Sequence, residues 1–255
     1  MTTETGFMVL SFDVHKEIGQ DGKNSQAYLA IDNQLNKEIV VKKILKETLA
    51  DQNDLFKEAR LLYECQHPNI VQIYHAGMDV EHVYFAMPYY KNGSIKARID
   101  NKSLTLEDVV KYSIQFISGI SKIHSLGLLH LDIKPDNILI SDNNEAMISD
   151  FGLVDYSDDD GWYFISSLYI KHACPDLLDD TGMSMPINLQ FDIYQIGLTM
   201  YRMLIGNEIF NSKFNELSKL SQGDISKLIR FIKSDLFPEK TMLDQKIPLK
   251  LSKIV

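Results

Sequence analysis

The chain has 255 residues, 45% of them hydrophobic, enough to bury a full core as one large domain or two small lobes. Its formal net charge of −9 argues against nucleic acid or an anionic membrane as a main partner, because both reward basic surfaces, and favours basic partners. The two cysteines, Cys65 and Cys174, form neither a disulfide framework nor a metal-ligand spacing, as expected in a reducing compartment.

The start, Met1 to Phe12, has no basic region before its apolar residues and no glycine after Met1, and no apolar stretch is long enough to span a bilayer, so a cytoplasmic protein without a membrane partner is expected. From Phe12 to Met87 short apolar runs broken by Gly, Asn and Asp predict a small sheet, with one helix over about Asp51 to Gln66. Leu55, Glu58, Leu62 and Cys65 recur there at helical spacing, which turns Glu58 inward beside apolar neighbours. A carboxylate in that position needs a partner. After the turn-rich connector Tyr89-Tyr90-Lys91-Asn92-Gly93-Ser94 the pattern becomes helical from Leu106 to Leu126, with Thr105 as N-cap and Asp108 three residues on. A second long helix is predicted from about Asp192 to Ile205, stopped by Gly206. The acidic cluster Asp155 to Asp160 belongs to one loop, and there is no internal repeat.

Between the two long helices stands His130-Leu131-Asp132-Ile133-Lys134-Pro135-Asp136-Asn137, followed by Asp150-Phe151-Gly152. Asp-Phe-Gly alone is often just a turn, but the pair in this order, flanking an apolar strand pattern, is rare. Phosphoryl transfer needs a carboxylate to orient a hydroxyl, ligands for a divalent cation, and positive charge around the phosphates. Asp132 can accept a hydroxyl proton, Lys134 can neutralise a γ-phosphate, and Asn137 and Asp150 offer hard oxygen ligands to Mg²⁺.

With these motifs the chain resembles a eukaryotic-type (Hanks-type) serine/threonine protein kinase, and the resemblance reaches nearly its whole length. It implies an α+β, two-lobed protein kinase fold: an N-lobe over 1–88, a hinge over 89–94 and a helical C-lobe over 95–255. Ile39-Val40-Val41-Lys42 resembles the third-strand Val-Ala-x-Lys, which implies that Lys42 holds the α- and β-phosphates of ATP with Glu58 fixing its ammonium. Lys43 competes for that role, but alternation sends only one of the two into the cleft with Val40. The phosphate-covering loop departs from the family: Ile18-Gly19-Gln20-Asp21-Gly22-Lys23-Asn24-Ser25-Gln26-Ala27 is longer than Gly-x-Gly-x-x-Gly, and Ser25 replaces the third glycine. By resemblance Ile18, Gly19 and Gly22 cover the nucleotide. Ala27, Val40 and Leu139 sandwich the purine, Met87 is the gatekeeper, and the Pro88 and Tyr90 backbone faces the adenine edge. Leu62, Ile73, His130 and Phe151 match the stacked side chains that join the lobes, anchored by Asp192, and His67-Pro68-Asn69-Ile70-Val71 matches a further family segment.

The resemblance thus implies transfer of the γ-phosphoryl group of ATP, with Mg²⁺ (or Mn²⁺), to serine or threonine hydroxyls of protein substrates, the chain's own included. A catalytically weak pseudokinase or scaffold is the alternative, disfavoured by the presence of all six polar groups, Lys42, Glu58, Asp132, Lys134, Asn137 and Asp150. Lysines far outnumber the arginines Arg60, Arg98, Arg202 and Arg230, a usage that suits an AT-rich bacterial or phage genome. The acidic loop suggests substrates with basic residues near the target. Leu131 stands where the family's phosphate-pairing arginine precedes the catalytic aspartate, so dependence on loop phosphorylation is not expected. Cys174-Pro175-Asp176 replaces Ala-Pro-Glu, and the sequence stops inside a helix-like stretch, Ile247 to Val255, before the arginine that would pair with Asp176. That reads as a chain cut short, or as one in which another group, Arg202, Arg230 or a second chain, takes the arginine's role.

Overall fold

The computed structural model describes residues 10–21, 25–48, 55–156, 174–175 and 187–235. The chain divides into two compact units, one formed by residues 1–66 and 71–89, the other by 67–70 and 90–255.

The first unit is an antiparallel sheet of β1 (Phe12–Asp21), β2 (Ser25–Asp32), β3 (Lys37–Leu45), β4 (His75–Met78) and β5 (His82–Pro88), in the order β1-β2-β3-β5-β4. Period-2 alternation divides β3 between two faces. Ile39 and Val41 pack with Ala30 and Ala86, and with Leu10, Phe12 and Tyr84. On the other face Ile44 joins Val83 and Phe85 against Ala59 of α1 (Lys57–Glu64), with Leu55, Phe56 and Ile73 packed around them. The helix is shorter than the span expected from Asp51 to Gln66: Leu55 and Phe56 form a turn before it, and residues 51–54 lie outside the described set. Alternation also separates the two lysines: Val40, Lys42 and Ile44 share one face, whereas Lys43 lies on the other, its ammonium 6.0 Å from the Tyr84 ring centre.

The second unit is mainly helical: α2 (Ile95–Asp100), α3 (Leu106–Ser125), α4 (Leu189–Ile205), α5 (Asn207–Ser221) and α6 (Ile225–Asp235). It also contains short antiparallel pairs, β6 (Leu128–Leu129) with β9 (Asp155–Tyr156) and β7 (Ile138–Ile140) with β8 (Ala146–Ile148). Thr105 caps α3 in a reciprocal box: the Asp108 N–H donates to its Oγ1 at 3.1 Å, and its own N–H donates to Asp108 Oδ2 at 3.0 Å. The Thr105 N–H and hydroxyl, both donating to Asp108 Oδ2, hold its carboxyl below the usual carboxylate range. The second long helix begins at Leu189 rather than at Asp192, capped by Asn188, whose Oδ1 accepts the Gln190 N–H at 2.9 Å. Gly206, at φ 85°, ends it as expected.

Residues 67–70 belong to the helical unit. The Ile148 N–H donates to the Asn69 carbonyl at 2.8 Å, and Asn69 Nδ2 donates to the Ala146 carbonyl at 3.0 Å. A Cβ on Gly119 of α3 would stand 2.8 Å from that Asn69 carbonyl oxygen, so only glycine allows this approach. Burial and the Lys122 charge push the His67 pKa down. No helix among the described residues is long and apolar enough to cross a membrane.

Candidate active site

In the first unit the inward-facing Glu58 receives the partner its burial demands. Lys42 Nζ donates to Glu58 Oε1 at 3.0 Å, with the side chains 10% and 13% exposed. Lys42 pairs in register with Ala27 on β2 and Phe85 on β5, and Val40 with Leu29 and Met87. The strands therefore bring Ala27, Val40, Lys42 and Met87 to one face, with Gly19 opposite Ala27 on β1. Ile18 is exposed, Pro88 closes β5 opposite Ile39, and Gly22 lies outside the described residues.

In the second unit the motif from His130 to Asn137 closes on itself. Lys134 Nζ and Asn137 Nδ2 both donate to Asp132 Oδ2, at 2.7 and 2.8 Å, and Asn137 Nδ2 also reaches the Asp132 carbonyl at 3.0 Å. Two donors hold Oδ2, which leaves Oδ1 as the oxygen to accept a further proton. Asn137 is fixed in turn, since its carbonyl accepts the Ser149 N–H at 2.9 Å and the Ser149 hydroxyl at 3.0 Å. With Nδ2 engaged, Oδ1 is the Asn137 atom suited to a hard cation. Asp150, which follows Ser149, has φ 63°, a left-handed conformation that a non-glycine residue adopts at a cost of roughly 1–2 kcal/mol. Such strain persists where the surroundings impose it. Among the described residues no group of three or more His, Cys, Asp or Glu side chains forms a metal cage. Two protein oxygens suit a magnesium ion that takes its other ligands from water and phosphate.

The loop's backbone is tied to α4. The carboxylate of Asp192, fully buried, accepts the His130 N–H at Oδ2 and the Leu131 N–H at Oδ1, both at 2.8 Å, and lies 2.7 Å from His124 Nε2. His130 Nδ1 accepts the Asp132 N–H at 3.3 Å, and its ring meets the Phe151 ring edge-on with centres 5.5 Å apart. Leu131 is buried among Leu129, Cys174, Ile187, Phe191 and Ile229. Leu139 pairs with Met147 and bridges to Ser94 beyond Tyr90, while the Ile140 N–H donates to the Gly93 carbonyl at 2.8 Å. Leu62 is buried in the first unit and Ile73 packs on its core.

A protein kinase domain model matches residues 12–253, almost the entire chain. The chain belongs to the protein kinase family. A probable serine/threonine-protein kinase of Clostridium acetobutylicum is 25% identical over 248 residues, 96% of this chain and 36% of that protein. CBL-interacting protein kinase 5 of rice is 26% identical over 88% of this chain and 50% of its own length. The probable serine/threonine-protein kinase samkA of Dictyostelium discoideum is 33% identical over 74% of this chain and 30% of its own. The chain thus spans about a third to a half of the curated relatives it matches.

Some residues that hold the loop carry no sequence signal. Gln195 lies one helical turn beyond Asp192 and bonds the loop backbone, as does Asp192, yet a glutamine inside a helix announces nothing. His124 and Ser149 likewise act on partners distant in sequence. Asp176, Trp162, Tyr163 and the stretch from Ile247 to Val255 lie outside the described residues.

Proposed function

We propose that the chain is an ATP-dependent protein kinase that transfers the γ-phosphoryl group to serine or threonine hydroxyls of proteins, its own included. The observation that carries this reading is the Asp132 carboxylate, oriented through Oδ2 by Lys134 and Asn137 so that Oδ1 can take a proton. The names of its relatives, serine/threonine-protein kinases, support the acceptor class.

In the proposed step the acceptor hydroxyl oxygen bonds to the γ-phosphorus as the bond to the β-bridging oxygen breaks. ADP leaves, and the hydroxyl proton passes to Asp132. Lys134 steadies the negative charge on the moving phosphoryl group. Lys42, fixed by Glu58, holds the α- and β-phosphates, with Gly19, Gly22 and Ile18 covering the nucleotide. Val40, Ala27, Leu139 and Met87 contact the purine, and the backbone of Pro88 and Tyr90 meets its edge. Asn137 and Asp150 would hold Mg²⁺, or Mn²⁺ in its place, which when bound neutralises phosphate charge.

The net charge of −9 supports substrates with Lys or Arg near the target and no nucleic-acid partner. The test is phosphate transfer from labelled ATP to a generic basic protein by the purified chain. Transfer retained on serine and threonine supports the reading. ATP binding without any transfer would instead assign a scaffold.

A further inference from the structure

We propose that Gln195 is a positioning residue for the Asp132 base, acting through the backbone on both sides of it; this rests on the reading of Asp132 given above. Gln195 projects from the middle of α4 and is 2% exposed. Its Oε1 accepts the Ile133 N–H at 2.8 Å, and its Nε2 donates to the Leu131 carbonyl at 3.1 Å. The two peptide groups it grips are those directly before and after Asp132. Asp192 sits three residues earlier on the same helix face and takes the N–H groups of His130 and Leu131. Four loop backbone groups between His130 and Ile133 are therefore pinned to one rigid element.

The need for such a clamp is visible at Leu131, which has φ 68°, a region that side-chain-bearing residues leave unless their surroundings over-determine it. Asp192 fixes the N–H of Leu131 and Gln195 fixes its carbonyl. If the carbonyl were released, the Leu131–Asp132 peptide could rotate and carry the carboxylate away from the acceptor hydroxyl. The role requires an amide. Gln carries an uncharged acceptor and an uncharged donor on separate atoms of one planar group, with the reach that the two bonds use here.

Gln195→Met keeps the length of the side chain and removes both bonds. The expected result is a kcat lower by roughly 10- to 100-fold, the scale of a small misplacement of a reacting group, with KM for ATP within about twofold of wild type. Gln195→Glu provides a second readout. As a carboxylic acid it can still accept from Ile133 and donate to Leu131, but ionised it opposes the Leu131 carbonyl. Its kcat should fall as pH rises across a range where wild-type kcat does not. The ionisable groups of the surrounding network, His124 on α3, His130, Asp132 and Lys134 on the loop, and Asp192 on α4, are common to both proteins, so the comparison isolates the group at position 195. A purely structural role would lower the melting temperature and leave kcat of the folded enzyme unchanged.

A folded Gln195→Met protein with wild-type kcat overturns the proposal. If that variant does not fold, a Gln195→Glu pH profile parallel to the wild type's overturns it. Transfer persisting in Asp132→Asn would sink the base assignment itself, a failure that the two Gln195 variants cannot produce.

Discussion

Lys42 and Asp132 belong to different units and are held in different ways. Lys42 meets a carboxylate on α1, a helix of eight residues without a side-chain N-cap, whose place depends on packing Ala59, Leu61 and Leu62. A helix that short is unstable alone, so the Lys42–Glu58 contact lasts only while α1 stays docked. Asp132 sits on a loop whose backbone is bonded to α4, a helix of 17 residues, and its carboxylate is oriented by two further side chains. The contrast teaches that one half of the machinery rests on side-chain packing and can be retuned by shifting a helix, whereas the other rests on a backbone framework and resists change.

A large effect is expected on the packed half. Lys42→Ala should lower kcat/KM for ATP by about 10²-fold or more, the scale of losing one preorganised positive group. Glu58→Gln, which leaves the ammonium without its carboxylate, should cost less, because α1 can still dock. Equal losses in the two variants, measured in steady-state assays, would show that Glu58 does more than steady Lys42.

On the framework side, Gly119→Ala drives a methyl against the Asn69 carbonyl and should destabilise the protein by about 1–3 kcal/mol in urea unfolding, the usual cost of overpacking. A neutral result would mean that residues 67–70 give way more easily than the bonds from Asn69 suggest. Thr105→Ala removes half of the α3 capping box and should cost about 1 kcal/mol. The Asp108 half depends on pH. Its folded pKa lies below the unfolded value of about 3.9, so the box stabilises above that pH, and its contribution is lost as pH falls through the folded pKa. The stability gap between wild type and Asp108→Ala should therefore shrink as pH is lowered below the unfolded value. The smallest effect is expected from phosphatase treatment, because Leu131 is buried in an apolar cluster and offers no cation to a loop phosphate. Activity silenced by the phosphatase and restored by rephosphorylation would contradict this.

The elements that could be read from sequence are those whose signals are local. The α3 helix carries its periodicity and its Thr105 and Asp108 cap within one stretch, and the choice between Lys42 and Lys43 follows from strand alternation. The expected start of α4 at Asp192 falls three residues late, since Asn188 caps the helix, and nothing local announces that the Asp192 carboxylate is spent on loop N–H groups 61 and 62 residues away. The grip of Gln195 was invisible for the same reason: its partners are backbone atoms, and backbone atoms leave no residue-type signature. Gly119 reads as a weak point in a helix until the Asn69 carbonyl is seen against it.

The central claim, that Asp132 takes the proton of an acceptor hydroxyl, is tested most directly by measuring labelled phosphate transfer and Mg²⁺-dependent ATP binding on purified wild type and Asp132→Asn. Asp132→Asn is expected to bind ATP as the wild type does while kcat falls by about 10²-fold or more, because the carboxylate acts on the hydroxyl and not on the nucleotide. Transfer or autophosphorylation retained at wild-type rate in Asp132→Asn would contradict it.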